Sequence, residues 1–139
     1  MRLAPASSRP ALSLLLCLVL ARPALAAPTP AARVRVLHDV ALAEDQRRWG
    51  DGVLATALRH PDPVVRARAA LATGRLQDST SVAALLPLLR DPVVTVRREA
   101  AFALGQVGHR AAREALERGL RDADPGTVDL CVEALGKLG

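Results

Sequence analysis

Along residues 31–139 the apolar positions fall at helical spacing, and the pattern returns after 31 residues. In VVTVRREAAFALGQVG, Val96, Ala100, Ala103 and Val107 stand at i, i+4, i+7 and i+11, one face of a helix. A shift of 31 carries Val65-Arg66 onto Val96-Arg97, Ala69-Ala70 onto Ala100-Ala101, and Gly74 onto Gly105 and Gly136. The same shift of 31 carries Leu54 onto Leu85 and Leu116, and Leu58-Arg59 onto Leu89-Arg90 and Leu120-Arg121. It reaches back to Val34-Arg35, although Ala43 stands where the glycine belongs. Each period reads as two helices. Asp62-Pro63, Asp91-Pro92 and Asp124-Pro125 open the longer one, because Asp accepts from free backbone N–H groups and Pro suits the first helical position. Gly105 and Gly108 fall near a helix end, where a left-handed residue is usual. Leu85, Leu88 and Leu89 give the shorter helix an apolar stripe, and Asp78-Ser79 offers caps at its start. The spacing predicts helices over 31–44, 51–59, 63–76, 79–90, 92–107, 110–121 and 125–138. Ala69, Ala72, Ala100 and Ala103 on the longer helices allow close approach, which suits stacking of like units.

Before this pattern comes a different one. Ala11 to Ala21 is an apolar run of 11 residues after Arg2 and Arg9, and Ala24-Leu25-Ala26 gives a small-x-small cleavage pattern. Residues 1–26 read as a secretory signal peptide, cut after Ala26. A membrane anchor is the competing reading, but spanning needs about 20 apolar residues and Arg22-Pro23 ends the run early. A lipoprotein anchor at Cys17 fits poorly, since Leu16 precedes it and more apolar residues follow. Cleavage changes the charge. The chain of 139 residues has 19 basic and 14 acidic side chains, net +5. Arg2, Arg9 and Arg22 leave with the signal and no acid leaves with them, so 16 basic residues face 14 acidic ones, net +2. The basic balance is then no argument for nucleic acid. Trp49 and Phe102 are the only aromatics, too few for a base-stacking platform. Cys131 is left as a lone thiol at the position of Ala69 and Ala100, a buried face, and reads as inert.

The segments DPVVRARAALATGRL, DPVVTVRREAAFALGQVG and DPGTVDLCVEALGKLG resemble HEAT repeats of the short, phycobilisome-lyase-like kind. That family's signature is an Asp-Pro turn, Val-Arg, paired alanines and Ala-Leu-Gly. The resemblance covers 31–139 and implies an all-α fold, a right-handed α-solenoid of about three repeats plus a leading half repeat. It divides the domain 27–139 into a half repeat, 31–44, and helix pairs 51–76, 79–107 and 110–138. In the family the Val-Arg helix is the second of each pair and lines the concave side. Here Val128 replaces the last arginine, so the family's arginine ladder would stop after Arg97. The acidic-basic stretch Glu44-Asp45-Gln46-Arg47-Arg48 is similar to one in exported bacterial proteins that add a cyclophilin-type peptidyl-prolyl isomerase domain, of which this chain would be a shortened relative or N-terminal part.

Three groups of residues are singled out. Arg35, Arg66 and Arg97 occupy one position of successive longer helices. They could form an anion-binding ladder. The favoured reading is structural: the resemblance implies that they bond turn aspartates, here Asp62 and Asp91, or helix-end carbonyls. Val40, Leu71 and Phe102 lie two residues beyond a buried position, about 200° around the helix, and should face away from the core. They would then form an apolar groove for a partner, unless Leu71 and Phe102 fold down to seal the alanine-rich core. Trp49, in the charged connection, is expected to seal the end of the first pair rather than anchor a ligand. Catalytic candidates are wanting. Ser79 and Ser81 read as caps, and His38, His60 and His109 fall at unrelated repeat positions without ligand spacing.

The function read from these features is an exported, non-enzymatic scaffold whose concave surface holds a protein segment or a further domain of the same chain. No cofactor, no metal, no nucleic acid and, after cleavage, no membrane is expected. Two alternatives come from other classes. One is a bilin lyase or isomerase, as the resemblance suggests. The other is a HEAT-like DNA-binding module, against which the export signal and the net +2 speak.

Overall fold

The computed structural model describes residues 29–138. The signal peptide read over 1–26 lies outside the described residues. Seven α-helices run through them, with no strand among the described residues. They are α1 Pro30–Asp45, α2 Val53–Ala57, α3 Pro63–Leu76, α4 Val82–Leu85, α5 Val94–Val107, α6 Arg113–Gly119 and α7 Pro125–Lys137. Tighter 3₁₀ turns flank α4 at Ser79–Ser81 and Leu86–Arg90, and another leads into α6 at Arg110–Ala112.

The helices form two layers, an α-solenoid. The long helices α1, α3, α5 and α7 stack side by side as one layer, each on the next. The short elements cover them: α2 on α1 and α3, α4 with its 3₁₀ turns on α5, and α6 on α7. The core lies between the layers, with Leu54, Leu58, Leu85, Leu104 and Leu116 fully buried. Burying each such side chain stabilises the fold by roughly 1.5–3 kcal/mol. Trp49 is half-buried and packs against this core at the first pair.

The long helices after α1 start at 63, 94 and 125, a strict 31-residue step. Asp62 caps α3 by accepting from the Val64 N–H at 2.9 Å, and Asp124 caps α7 by accepting from the Thr127 N–H at 2.8 Å. The middle Asp-Pro is out of step. Asp91 stands two residues before the equivalent position, which Val93 occupies without a side-chain cap. So α5 begins at Val94, not at residue 92 as the Asp-Pro suggested. The predicted helix over 79–90 is broken for a similar local reason. Pro87 has no N–H to give and crowds the carbonyl before it, so the segment closes as a 3₁₀ turn. The helix expected over 51–59 shortens to five residues, Val53–Ala57.

Close stacking of the long helices rests on glycine facing alanine. A Cβ built on Gly74 would lie 2.6 Å from Ala103 Cα, and one on Gly105 would lie 2.9 Å from Ala134 Cβ. Ala43 holds this place in α1, and α1 packs less extensively on α3 than α3 does on α5. With no long helix before it among the described residues, α1 buries a single stripe, centred on Val40 and Ala43 with Val36 half-buried. That stripe turns Val34 out to 66% exposure, where its counterparts Val65 and Val96 are fully buried.

Candidate functional site

One edge of the solenoid carries a row of guanidinium–carboxylate clamps. Arg66 donates from Nε and Nη2 to Asp91 at 2.7 and 3.0 Å, and from Nη1 to the carbonyls of His60 and Pro61 at 2.8 and 2.9 Å. Arg97 repeats the arrangement 31 residues on. It donates to both oxygens of Asp122 at 2.7 and 3.0 Å and to the carbonyl of Asp91 at 2.9 Å. Each guanidinium thus closes the turn before its own helix and grips the aspartate of the following turn. Such bidentate pairs fix geometry as well as energy. Burial works to raise the Asp91 pKa, but the Arg66 bonds, the Val93 N–H and two guanidinium charges outweigh it and hold the carboxyl below the usual aspartate range. For Asp122 the Arg97 bonds are the largest influence and hold it low against burial.

Arg35 is not part of this row. It is exposed, and among the described residues no side-chain hydrogen bond forms at it. The reason lies 25 residues on. Arg66 and Arg97 find Asp91 and Asp122 there, but Arg35 finds His60. His60 keeps only half of the aspartate's work: its Nδ1 accepts from the Asp62 N–H at 3.0 Å, as Asp122 accepts from the Asp124 N–H at 2.9 Å. Asp62 is instead gripped by Arg33, two residues away from the expected position. Burial works to raise the Asp62 pKa, and the Val64 N–H and Arg33 overcome it. Asp124 has its own clamp. Arg98 donates to it at 2.8 and 2.6 Å, and Gly126 leaves the room: a Cβ there would lie 2.8 Å from the guanidinium.

The apolar line is shorter than expected. Val40 is fully buried, because the single stripe that α1 buries runs through it. It is core, not a groove residue. Leu71 and Phe102 are half-buried, and they are not among the half-buried side chains packed against the core, which include Leu37 and Leu130. Charges frame them on the same helical face. Arg68, Leu71 and Arg75 stand at i, i+3 and i+7 on α3, and Glu99, Phe102 and Gln106 do so on α5. Glu44 of α1 ties to two arginines of α3, to Arg75 at 2.8 Å and to Arg68. Arg68 Nη1 is buried with no acceptor among the described residues. Burial raises the Glu99 pKa, with Arg75 and Arg68 opposing.

The remaining candidates serve the fold. Ser81 Oγ donates to the Asp78 carbonyl at 2.6 Å, and His109 Nδ1 accepts from the Ala111 N–H at 3.2 Å. Cys131 is a buried free thiol whose pKa is pushed up to about 11 by burial and the Asp122 charge. Gly119 makes space for it, since a Cβ there would lie 2.5 Å from the sulfur. Among the described residues no three His, Cys, Asp or Glu side chains come together as a metal site, and no helix is long and apolar enough to cross a membrane.

The stacked long helices, the glycine–alanine contacts and the clamps repeat together every 31 residues. The sequence model of HEAT repeats matches residues 20–98 and 85–139. The chain belongs to the HEAT-repeat family. No curated protein matches it. HEAT repeats form helical modules for protein interaction and scaffolding, and the family is generally non-catalytic. Within this HEAT array the sequence reading missed Arg33, Arg98, Asp122 and the Glu44 pairs. Asp122 had a signal: stepping 31 from Asp91 lands on it, whereas following the Asp-Pro dipeptide lands on Asp124.

Proposed function

We propose that this chain is an exported, non-enzymatic HEAT scaffold that holds a segment of another protein, or a further domain, on the open face of its long helices. The observation that carries this reading is the pair Leu71 and Phe102, half-buried at equivalent positions of α3 and α5 and, among the described residues, outside the core cluster. Apolar side chains framed by charge are the usual make-up of a binding patch. The frame is mixed, with Glu44 and Glu99 beside Arg68 and Arg75, which suits a polypeptide better than a uniformly charged polymer. The 11-residue apolar run and Ala24-Leu25-Ala26 support export.

The test pairs stability with binding. Leu71→Ser and Phe102→Ser should leave the Tm within a few degrees and cut affinity for a captured partner at least tenfold. A collapsed Tm with binding intact would make both residues core and end this reading. Mass spectrometry of the product released from the producing cell should find a chain beginning at Ala27. Clear binding of a bilin or of DNA by that product would displace the scaffold reading.

A further inference from the structure

On the opposite layer, between the Leu86–Arg90 turn and α6, lies a cleft of about 670 Å³. Arg90, Arg97, Arg118 and Arg121 line it together with Asp91 and Asp122. Both aspartates are already held in bidentate clamps, Asp91 by Arg66 and Asp122 by Arg97. Arg118 is paired with Glu114. Arg90 and Arg121 remain. Both are exposed, and among the described residues neither has an acidic partner. They stand 31 residues apart, at the same place in successive repeats, and Arg59 extends the row by one more.

We propose that this cleft binds an extended, acidic segment of a partner protein, with Arg90 and Arg121 each gripping one carboxylate. The spacing sets the register. Neighbouring packed helices lie about 8–10 Å apart, so equivalent arginines of adjacent repeats are separated by about that distance. A segment in the extended polyproline II form advances about 3.1 Å per residue with three residues per turn, so every third side chain matches that distance and faces the same way. The segment should therefore carry acids at i and i+3, and at i+6 where it reaches Arg59. Arginine suits this task because its fork meets a carboxylate in two parallel bonds. A phosphate polymer fits less well. Asp91 and Asp122 sit in the cleft wall and repel a continuous run of negative charge, whereas spaced carboxylates pass between them. Leu86 and Ala115, also in the wall, give apolar contact to the residues between the acids. This cleft is separate from the Leu71–Phe102 face, and its occupancy does not depend on that face.

The experiment is fluorescence anisotropy of the purified protein with a labelled nine-residue peptide bearing Glu at every third position. A peptide of the same composition with adjacent glutamates is the comparison. Binding is expected to favour the spaced peptide and to weaken as salt rises. Arg90→Glu and Arg121→Glu should each reduce affinity at least tenfold. Arg110→Glu changes the net charge equally, at an exposed position outside the cleft, and should leave affinity within twofold. None of these arginines has a bonded partner among the described residues, so the Tm should hold, and Leu71→Ser should have no effect. The proposal is overturned by equal binding of the two peptides, by equal loss in Arg110→Glu, by tighter binding of polyphosphate or DNA than of the spaced peptide, or by no binding at millimolar peptide.

Discussion

Gly74 and Gly136 occupy the same position in different repeats, yet the same substitution should move stability in opposite directions. Within a helix, Gly→Ala gains about 1 kcal/mol from backbone entropy alone. At Gly136 no described atom beyond its own stretch of helix lies within 4 Å of the added methyl, so Gly136→Ala should stabilise by up to that amount, less any fraying at the helix end. At Gly74 the methyl would fall 2.6 Å from Ala103 Cα and 2.8 Å from Ala103 Cβ. Favourable carbon–carbon contacts lie at about 3.5–4.0 Å, so α3 and α5 must part by roughly 1 Å. The obstructing atoms are backbone or bonded to it and cannot swing aside. Overpacking of this kind typically costs about 1–3 kcal/mol, with larger values when a long interface must open. Set against the propensity gain, Gly74→Ala should lose up to about 2 kcal/mol. Urea unfolding at constant slope measures both variants, and the gap between them should be the overpacking cost, about 1–3 kcal/mol. If Gly74→Ala proved as stable as Gly136→Ala, the close approach of α3 to α5 would be refuted, and with it this account of why the repeat keeps its glycine.

Other predictions follow from the clamps and the buried thiol. Arg66→Ala leaves the buried Asp91 without its guanidinium and should cost about 2–4 kcal/mol, while Arg35→Ala should stay within about 0.5 kcal/mol; urea midpoints compare them. His60→Asp supplies the missing acceptor of the first repeat and should gain about 0.5–1 kcal/mol, a gain that Arg35→Ala in the same chain removes. Asp62, Asp91, Asp122 and Asp124 all have folded pKa values below the ordinary 3.8. The unfolded chain then binds more protons than the folded one in acid, so their stabilisation is present above 3.8 and is lost as pH falls below it. Melting curves should show Tm nearly flat from neutral pH down to about 5 and falling steeply beneath 4; a main loss above pH 5 would contradict the clamps. Cys131 should ignore a water-soluble disulfide reagent at pH 8 in the native protein and react fully once guanidinium is added.

Much of the fold was legible because a repeat writes its register many times. The shift of 31 places every long helix, and Asp62, Asp124 and Gly108 mark its ends by local chemistry that does not depend on what lies across the interface. Side-chain partners were less legible, since they are set between turns. The Asp-Pro dipeptide looked like one repeating feature and is two: Asp62 and Asp124 cap helices, whereas Asp91 and Asp122 are clamp acceptors two residues earlier in the period. Only the position of Arg66 across the next turn separates the two roles.

By itself the sequence determined the helical period, the alanine and glycine surfaces that make stacking possible, and the burial of Cys131. These follow from helical geometry and side-chain size. The tertiary structure decided what the ends of the stack do. Among the described residues α1 stacks on one long helix where α3 and α5 each stack on two, so α1 buries a single stripe. That stripe takes Val40 into the core, leaves Arg35 in solvent and hands Asp62 to Arg33. The column that reads as uniform along the chain is therefore core at one end and open surface in the middle, where Leu71 and Phe102 stand. Neighbours, not residues, set that difference.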